Sequence, residues 1–197
     1  MTKLAMVLVV AAWPAVAQWR HFGDPDLRPT AYYGVGATAP VNPIASHLNT
    51  GWNMAGGGGV RYGFLGFTID AMYNDFGINR RALFDVGARR GRQKYWAVTA
   101  NPAFHVNPRG PVDFYITGGG GVYGQITSFR VSGDGRFDRD WRFSDQVVKP
   151  GVNGGAGFNF HLGRERDPKF FVEARYHHMF TGGSGASFVP VTIGVRF

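Results

Sequence analysis

From about residue 30 onward, apolar and polar residues alternate with a period of two, the spacing of a strand that shows different environments to its two faces. In 67–74, Phe67, Ile69, Ala71 and Tyr73 oppose Thr68, Asp70, Met72 and Asn74. The last segment behaves the same way, with Val189, Val191, Ile193, Val195 and Phe197 opposite Pro190, Thr192, Gly194 and Arg196. In 171–178, Val172, Ala174 and Tyr176 oppose Glu173, Arg175 and His177. Gly-rich stretches keep the same parity. Phe114, Ile116, Val122 and Ile126 face away from Tyr115, Thr117, Tyr123 and Thr127, while Val152, Phe158 and Phe160 face away from Asn153, Gly157 and Asn159. Segments 53–62, 95–104 and 33–38 complete a set of eight candidate strands. Helical periodicity is hard to find anywhere among them.

The connectors alternate as well. Short Gly- and Pro-rich turns at 63–66, 107–111 and 163–168 are interleaved with longer polar stretches at about 40–51, 76–94, 128–149 and 180–187. A soluble sandwich hides its apolar face and wets the polar one. Here the apolar face is rich in aromatics, and the other face carries Gly, Thr, Asn and a few charges. That is the inverted pattern of a barrel in a bilayer, apolar outside and small or polar inside. In hydrocarbon every backbone polar group needs a partner within the protein, so the sheet must close. Eight strands leave an interior just wide enough for side chains to fill. The predicted fold is therefore all-β, an eight-stranded antiparallel transmembrane β-barrel with up-and-down meander order and a filled lumen. Tyr32, Tyr33, Trp52, Tyr62, Phe64, Phe76, Tyr95, Trp96, Phe104 and Phe180 lie near segment ends and read as interfacial girdles. The runs Gly56–Gly59 and Gly118–Gly121 sit inside alternating strands, so they read as space for large inward partners rather than as phosphate-binding loops, which need a helix after them.

Composition narrows the class. The 197 residues include 30 Gly, 17 Phe and no Cys, and only 17% are charged. A disulfide scaffold and a Cys-based zinc site are excluded. Mean hydropathy is −0.15, and no apolar run approaches the ~20 residues of a spanning helix. The N-terminus reads as an export leader: Lys3, the apolar run Leu4–Ala12, then Ala15-Val16-Ala17 as a small-residue cleavage signal. The expected organisation is a signal peptide at 1–17, a periplasmic arm at 18–30 and the barrel at 31–197. Net charge is +8, which favours anionic partners.

The C-terminal stretch Pro190-Val191-Thr192-Ile193-Gly194-Val195-Arg196-Phe197 alternates and ends on an aromatic residue. It resembles the terminal signal strand of outer-membrane barrels, which the barrel-assembly machinery recognises. With the leader and the eight strands, residues 28–197 resemble a small OmpA-like outer-membrane barrel. The segments 171–177 and 150–157 are similar to the outer membrane protein β-barrel domain family of acidobacterial type. The resemblance implies a Gram-negative outer-membrane location and assembly through Phe197. The peptidoglycan-binding role of full-length OmpA proteins is not carried over.

Two groups of residues carry candidate chemistry. The inward charges Arg61, Asp70, Glu173, Arg175 and Arg196 must pair if buried. They read as a plug of ion pairs, or as a gate for small ions, with Arg61 expected near-diagonal to Asp70 across strands two and three. The stretch 79–94 holds Arg80, Arg81, Arg89, Arg90, Arg92 and Lys94 against one acid, Asp85. It reads as a solvated loop or as a contact for outer-leaflet lipid phosphates or another polyanion. Other chemistry is thin. Ser46-His47 and Ser184 lack an acidic partner. Adjacent His177 and His178 point to opposite faces. Asp134, Asp138 and Asp140 lack calcium-loop spacing. No enzyme activity, cofactor, metal or nucleic-acid partner is expected. The reading is a monomeric barrel in contact with outer-membrane lipids, serving envelope integrity or surface interaction. A narrow channel is the alternative, and a soluble barrel that holds an apolar ligand inside is a third.

Overall fold

The computed structural model describes residues 27–41, 43–85, 90–131, 141–161, 168–182 and 185–197. The expected leader, most of the N-terminal arm, Arg89, Ser184 and the loop acids Asp134, Asp138 and Asp140 lie outside them. Eight strands form: β1 Leu27–Val41, β2 Gly51–Tyr62, β3 Leu65–Gly77, β4 Arg90–His105, β5 Val112–Val131, β6 Trp141–His161, β7 Lys169–Met179 and β8 Ala186–Arg196. A 3-10 turn at Ile44–Ser46 follows β1, and a short helix α1, Arg80–Asp85, follows β3. Each strand pairs antiparallel with the next, and β1 pairs with β8 to close the barrel. Phe197 and Ala31 complete the seam by exchanging two backbone hydrogen bonds of 2.8 and 3.2 Å.

The side chains divide as the alternation requires. Val172, Tyr176 and Val191 are 39, 44 and 45% exposed on the outer wall, whereas Arg175 and Thr192 are 6 and 5% exposed inside. Apolar residues face out and an arginine faces in, which is the pattern of a barrel in a bilayer. The narrow tube also explains the glycines. A Cβ on Gly157 would stand 2.6 Å from the Tyr115 hydroxyl, and a Cβ on Gly151 would stand 2.7 Å from the Tyr123 ring. Both tyrosines lie flat against wall that has no side chain.

Three expectations change. Tyr32, Phe76 and Tyr95 are buried in the lumen rather than set in a girdle. Their parity, not their nearness to a strand end, decides their face. Tyr33, Trp52, Tyr62, Phe64, Phe104 and Phe180 are exposed as girdle residues should be. The 128–149 connector is mostly ladder, because β5 and β6 stay paired out to Val131 and Trp141. Their 20 and 21 residues exceed the 9–11 that cross a bilayer, so this hairpin stands above the membrane. Likewise 76–94 is not one loop: Arg80 and Arg81 lie on α1, while Arg90, Arg92 and Lys94 lie on β4. Asn79 caps α1, its side-chain oxygen accepting from the Ala82 amide at 2.9 Å.

Candidate functional site

Among the described residues, buried side chains pack the lumen in layers. In outer-membrane barrels short turns lie on the periplasmic side and long connectors on the outer side, and the two ends of this barrel are named by that rule. Near the outer mouth, Phe76, Tyr95 and Phe188 pack with ring centroids 5.2–6.0 Å apart, joined by Met179 and Tyr123. Leu48, from the connector after β1, folds over this cluster and forms a bridge with Ile78. His177 stacks on Phe188 at 5.4 Å with nearly parallel planes and shares a 2.9 Å hydrogen bond with the Tyr123 hydroxyl. His178 points to the other face, where its Nδ1 meets the Ser187 hydroxyl at 2.8 Å.

Below this lid lies a charged and amide-rich layer. Arg175, from β7, reaches across the barrel to Asp70 of β3 at 2.8 Å and holds Glu173 at 2.7 Å. Each carboxylate has a second donor: the Asn101 amide to Asp70 at 2.7 Å, and the Tyr115 hydroxyl to Glu173 at 2.9 Å. Asn153 donates to Asn101 at 2.8 Å, linking β6 into the same net. A second chain climbs the opposite wall: Thr192 donates to Asn53, Asn53 to Thr38, and Thr38 to Asn74, at 2.8, 3.1 and 2.6 Å. A cavity of about 20 Å³ remains among Tyr32, Asp70, Glu173, Arg175, His177 and Thr192. That volume holds about one water molecule.

Arg196 enters one layer lower by a different route. Its guanidinium sits 4.7, 5.1 and 5.3 Å from the rings of Tyr115, Tyr32 and Phe171, a cage of cation–π contacts, and donates to the Tyr115 hydroxyl at 3.2 Å. Tyr115 thus bridges Arg196 to Glu173. At the periplasmic end, His105 and Asp113 pair at 2.7 Å, with Asn159 donating to the same carboxylate oxygen at 2.9 Å.

Arg61 does not join this network. The β2–β3 register puts Gly57 opposite Asp70 and Gly66 opposite Arg61, which leaves Arg61 at the periplasmic rim, where it donates to the Pro108 carbonyl at 3.2 Å. Parity gave its face correctly, but the strand offset separates it from Asp70. Sequence reasoning also passed over the Tyr32–Tyr115–Phe171 cage and the His105–Asp113 pair. The signal was present in the inward parity of these residues, but only the register shows that they meet.

The basic outer stretch divides between helix and wall. Arg80 and Arg81 are exposed on α1. Arg92 and Lys94 share the outward parity of Trp96 and sit at the outer edge of the aromatic belt. Arg92 contacts Asp75 at 3.3 Å, and Lys94 lies 6.0 Å from the Tyr73 ring, which itself packs on Trp52.

No protein-family profile and no curated protein matches the chain. Solved structures do. Neisserial surface protein A is similar over 87% of this chain and 96% of its own, with a TM-score of 0.57 and 14% identity. A major outer membrane protein from Thermus thermophilus is similar over 85% of this chain and 98% of its own, with a TM-score of 0.51 and 10% identity. At such identities the likeness speaks for the fold alone and does not reach the acidobacterial subtype. Closed meander, outward apolar wall and shared architecture agree: the chain has the fold of the small eight-stranded outer-membrane β-barrels.

Proposed function

We propose that this protein is a monomeric, non-enzymatic barrel of the outer membrane, with a structural role in the envelope and a working surface at its outer rim. The observation that supports this reading best is the filled lumen, with an aromatic lid above an ion-pair layer and room for about one water between them. A barrel packed in this way acts through its surface. The basic residues Arg80, Arg81, Arg92 and Lys94 supply that surface. Arg92 and Lys94 sit at headgroup depth with their stems along the wall, and the helical arginines stand above them, an arrangement suited to lipid phosphates of the outer leaflet or to an external polyanion. Phe197, outward at the closing seam and stacked 6.1 Å from Tyr33, is the group the barrel-assembly machinery would read. Binding of purified protein to immobilised lipopolysaccharide tests the surface. Arg80→Glu with Arg81→Glu should weaken binding and flatten its salt dependence. Equal binding by the variant and the parent refutes the rim as the working surface.

A second reading, a narrow channel, draws on the continuous line Asp70–Arg175–Glu173–Tyr115–Arg196. Such a chain of groups could exchange partners to let an ion past. Planar-bilayer recordings separate the two. Silence from both the parent and Glu173→Gln supports the filled barrel. Discrete openings that change with Glu173→Gln establish the channel.

A further inference from the structure

The short helix at the outer mouth has two unlike sides. At about 100° per residue, Arg80, Phe84 and Arg81 fall in that order along one side of α1, and Ala82 and Leu83 occupy the other. Ala82 and Leu83 pack against the cluster that closes the lumen, so the opposite side points away from the barrel. Arg80 and Arg81 are exposed there. Phe84, between them, is 87% exposed, more than any other large apolar side chain among the described residues. None of the ion pairs among the described residues engages Arg80 or Arg81. The base of the helix is braced. Asn79 accepts from the Ala82 amide at 2.9 Å and donates its own side-chain amide to the Ser46 carbonyl at 2.6 Å. The Asn79 backbone amide donates to the His47 carbonyl, and the Asn49 amide to the Gly77 carbonyl, both at 2.9 Å. The connectors after β1 and β3 thus hold each other, and Phe84 stands on a fixed support.

Charge and direction select the occupant of this face. Hydrocarbon lies along the barrel wall, and the face turns away from the barrel. A second copy in two-fold contact would set Arg80 and Arg81 against the same pair, like charge on like. A bare polyanion would engage the arginines and leave Phe84 in water. An acidic polypeptide with aromatic side chains uses all three groups: carboxylates meet the guanidiniums two donors at a time, and rings pack on Phe84. Resting on the reading of the outer rim as the working surface, we propose that the Arg80–Phe84–Arg81 face of α1 docks an acidic protein segment that carries aromatic side chains. Aromatic residues and arginine are the types enriched where proteins meet, and a braced helix has little freedom left to lose on binding.

The test uses the full chain in phosphatidylcholine nanodiscs, with empty nanodiscs subtracted. Two probes of matched charge are titrated: poly-L-glutamate and a random copolymer of glutamate and tyrosine. The parent should bind the copolymer about tenfold more tightly, the lower end of what burial of a Phe side chain is worth. Phe84→Ser should remove that preference and leave poly-L-glutamate binding unchanged. Arg80→Gln with Arg81→Gln should weaken both probes by about fivefold, as for two exposed charge pairs. The heat-modifiable gel shift checks that each variant is folded. Equal binding of the two probes by the parent overturns the proposal, and this arm needs no variant. The face would then be a plain polyanion site, and the outer rim would still be the working surface. A copolymer preference that survives Phe84→Ser overturns it too. Binding of neither probe also overturns it, and lipopolysaccharide binding by the same sample then tells whether the rim reading falls with it.

Discussion

Arg175→Met tests the energetics of the lumen directly. The substitution keeps an unbranched apolar stem and deletes the guanidinium, its charge and its N–H donors together. Asp70 and Glu173, held by Arg175 at 2.8 and 2.7 Å, are then left buried with one neutral donor each, Asn101 and Tyr115. Removing one partner of a buried ionic group costs about 3–5 kcal/mol, because a charge remains without compensation. The surviving donors place the expected loss at the lower end, about 3 kcal/mol. With a urea slope of about 2 kcal/mol/M, the unfolding midpoint in phospholipid vesicles should fall by about 1.5 M. Intrinsic tryptophan fluorescence reports the transition, and the gel shift checks it. Arg175→Met combined with Asp70→Asn and Glu173→Gln removes every charge of the triad. This neutral variant should return to within about 1 kcal/mol of the parent, since neutral replacements of buried ion networks often match the original stability. Two results would refute the reasoning. A single variant as stable as the parent would mean the ion pairs contribute nothing. A neutral variant as unstable as the single one would make lost packing, not stranded charge, the cause.

Two further predictions concern the wall. Val35 is 59% exposed between Met54 and Ile193. Val35→Arg should destabilise the protein by about 2–4 kcal/mol in vesicles, as for a charge on the lipid face, whereas an effect within about 0.5 kcal/mol is what a water-facing site gives and would contradict the membrane reading. Gly157→Ala should cost about 1–3 kcal/mol by pushing Tyr115 off its wall. Gly154→Ala, on the same strand, should be nearly silent because its Cβ would meet no atom closer than the Thr117 carbonyl at 4.0 Å. Urea unfolding of the pair settles it, and equal losses would remove the argument about space.

Alternation carried most of the fold. Val172, Val191, Arg175 and Thr192 are where their parity puts them, because a period of two leaves each strand only two choices of face. Strand ends were less legible. Phe76 and Tyr95 sit near the ends of apolar runs, yet both turn inward and close the outer mouth. A rule based on nearness to an end overrode the parity that would have placed them. The β5–β6 extension was hidden for a related reason. Above the bilayer both faces meet water, so the apolar signal fades while the ladder continues to Val131 and Trp141. The charge network was half legible. Glu173 and Arg175 are two apart on one strand and had to share a face. Asp70, however, meets Arg175 across the barrel, and Arg61 misses Asp70 by a strand offset. Contacts across a closed tube depend on register and tilt, which one-dimensional spacing does not encode.

The two bonds between Ala31 and Phe197, and the ladder from Tyr32↔Arg196 to Val41↔Ser187, join the first and the eighth strand of the ring. A ring cannot be half finished. Until β8 arrives, β1 carries a full row of unsatisfied amides and carbonyls, which hydrocarbon does not tolerate. Entry into the bilayer and closure of the ring must therefore be one event, or the bare edges need a temporary neighbour. The long stretch of chain between the two strands makes that event slow when the protein works alone. A catalyst that guards the open edge would speed the birth of this protein without altering its final form.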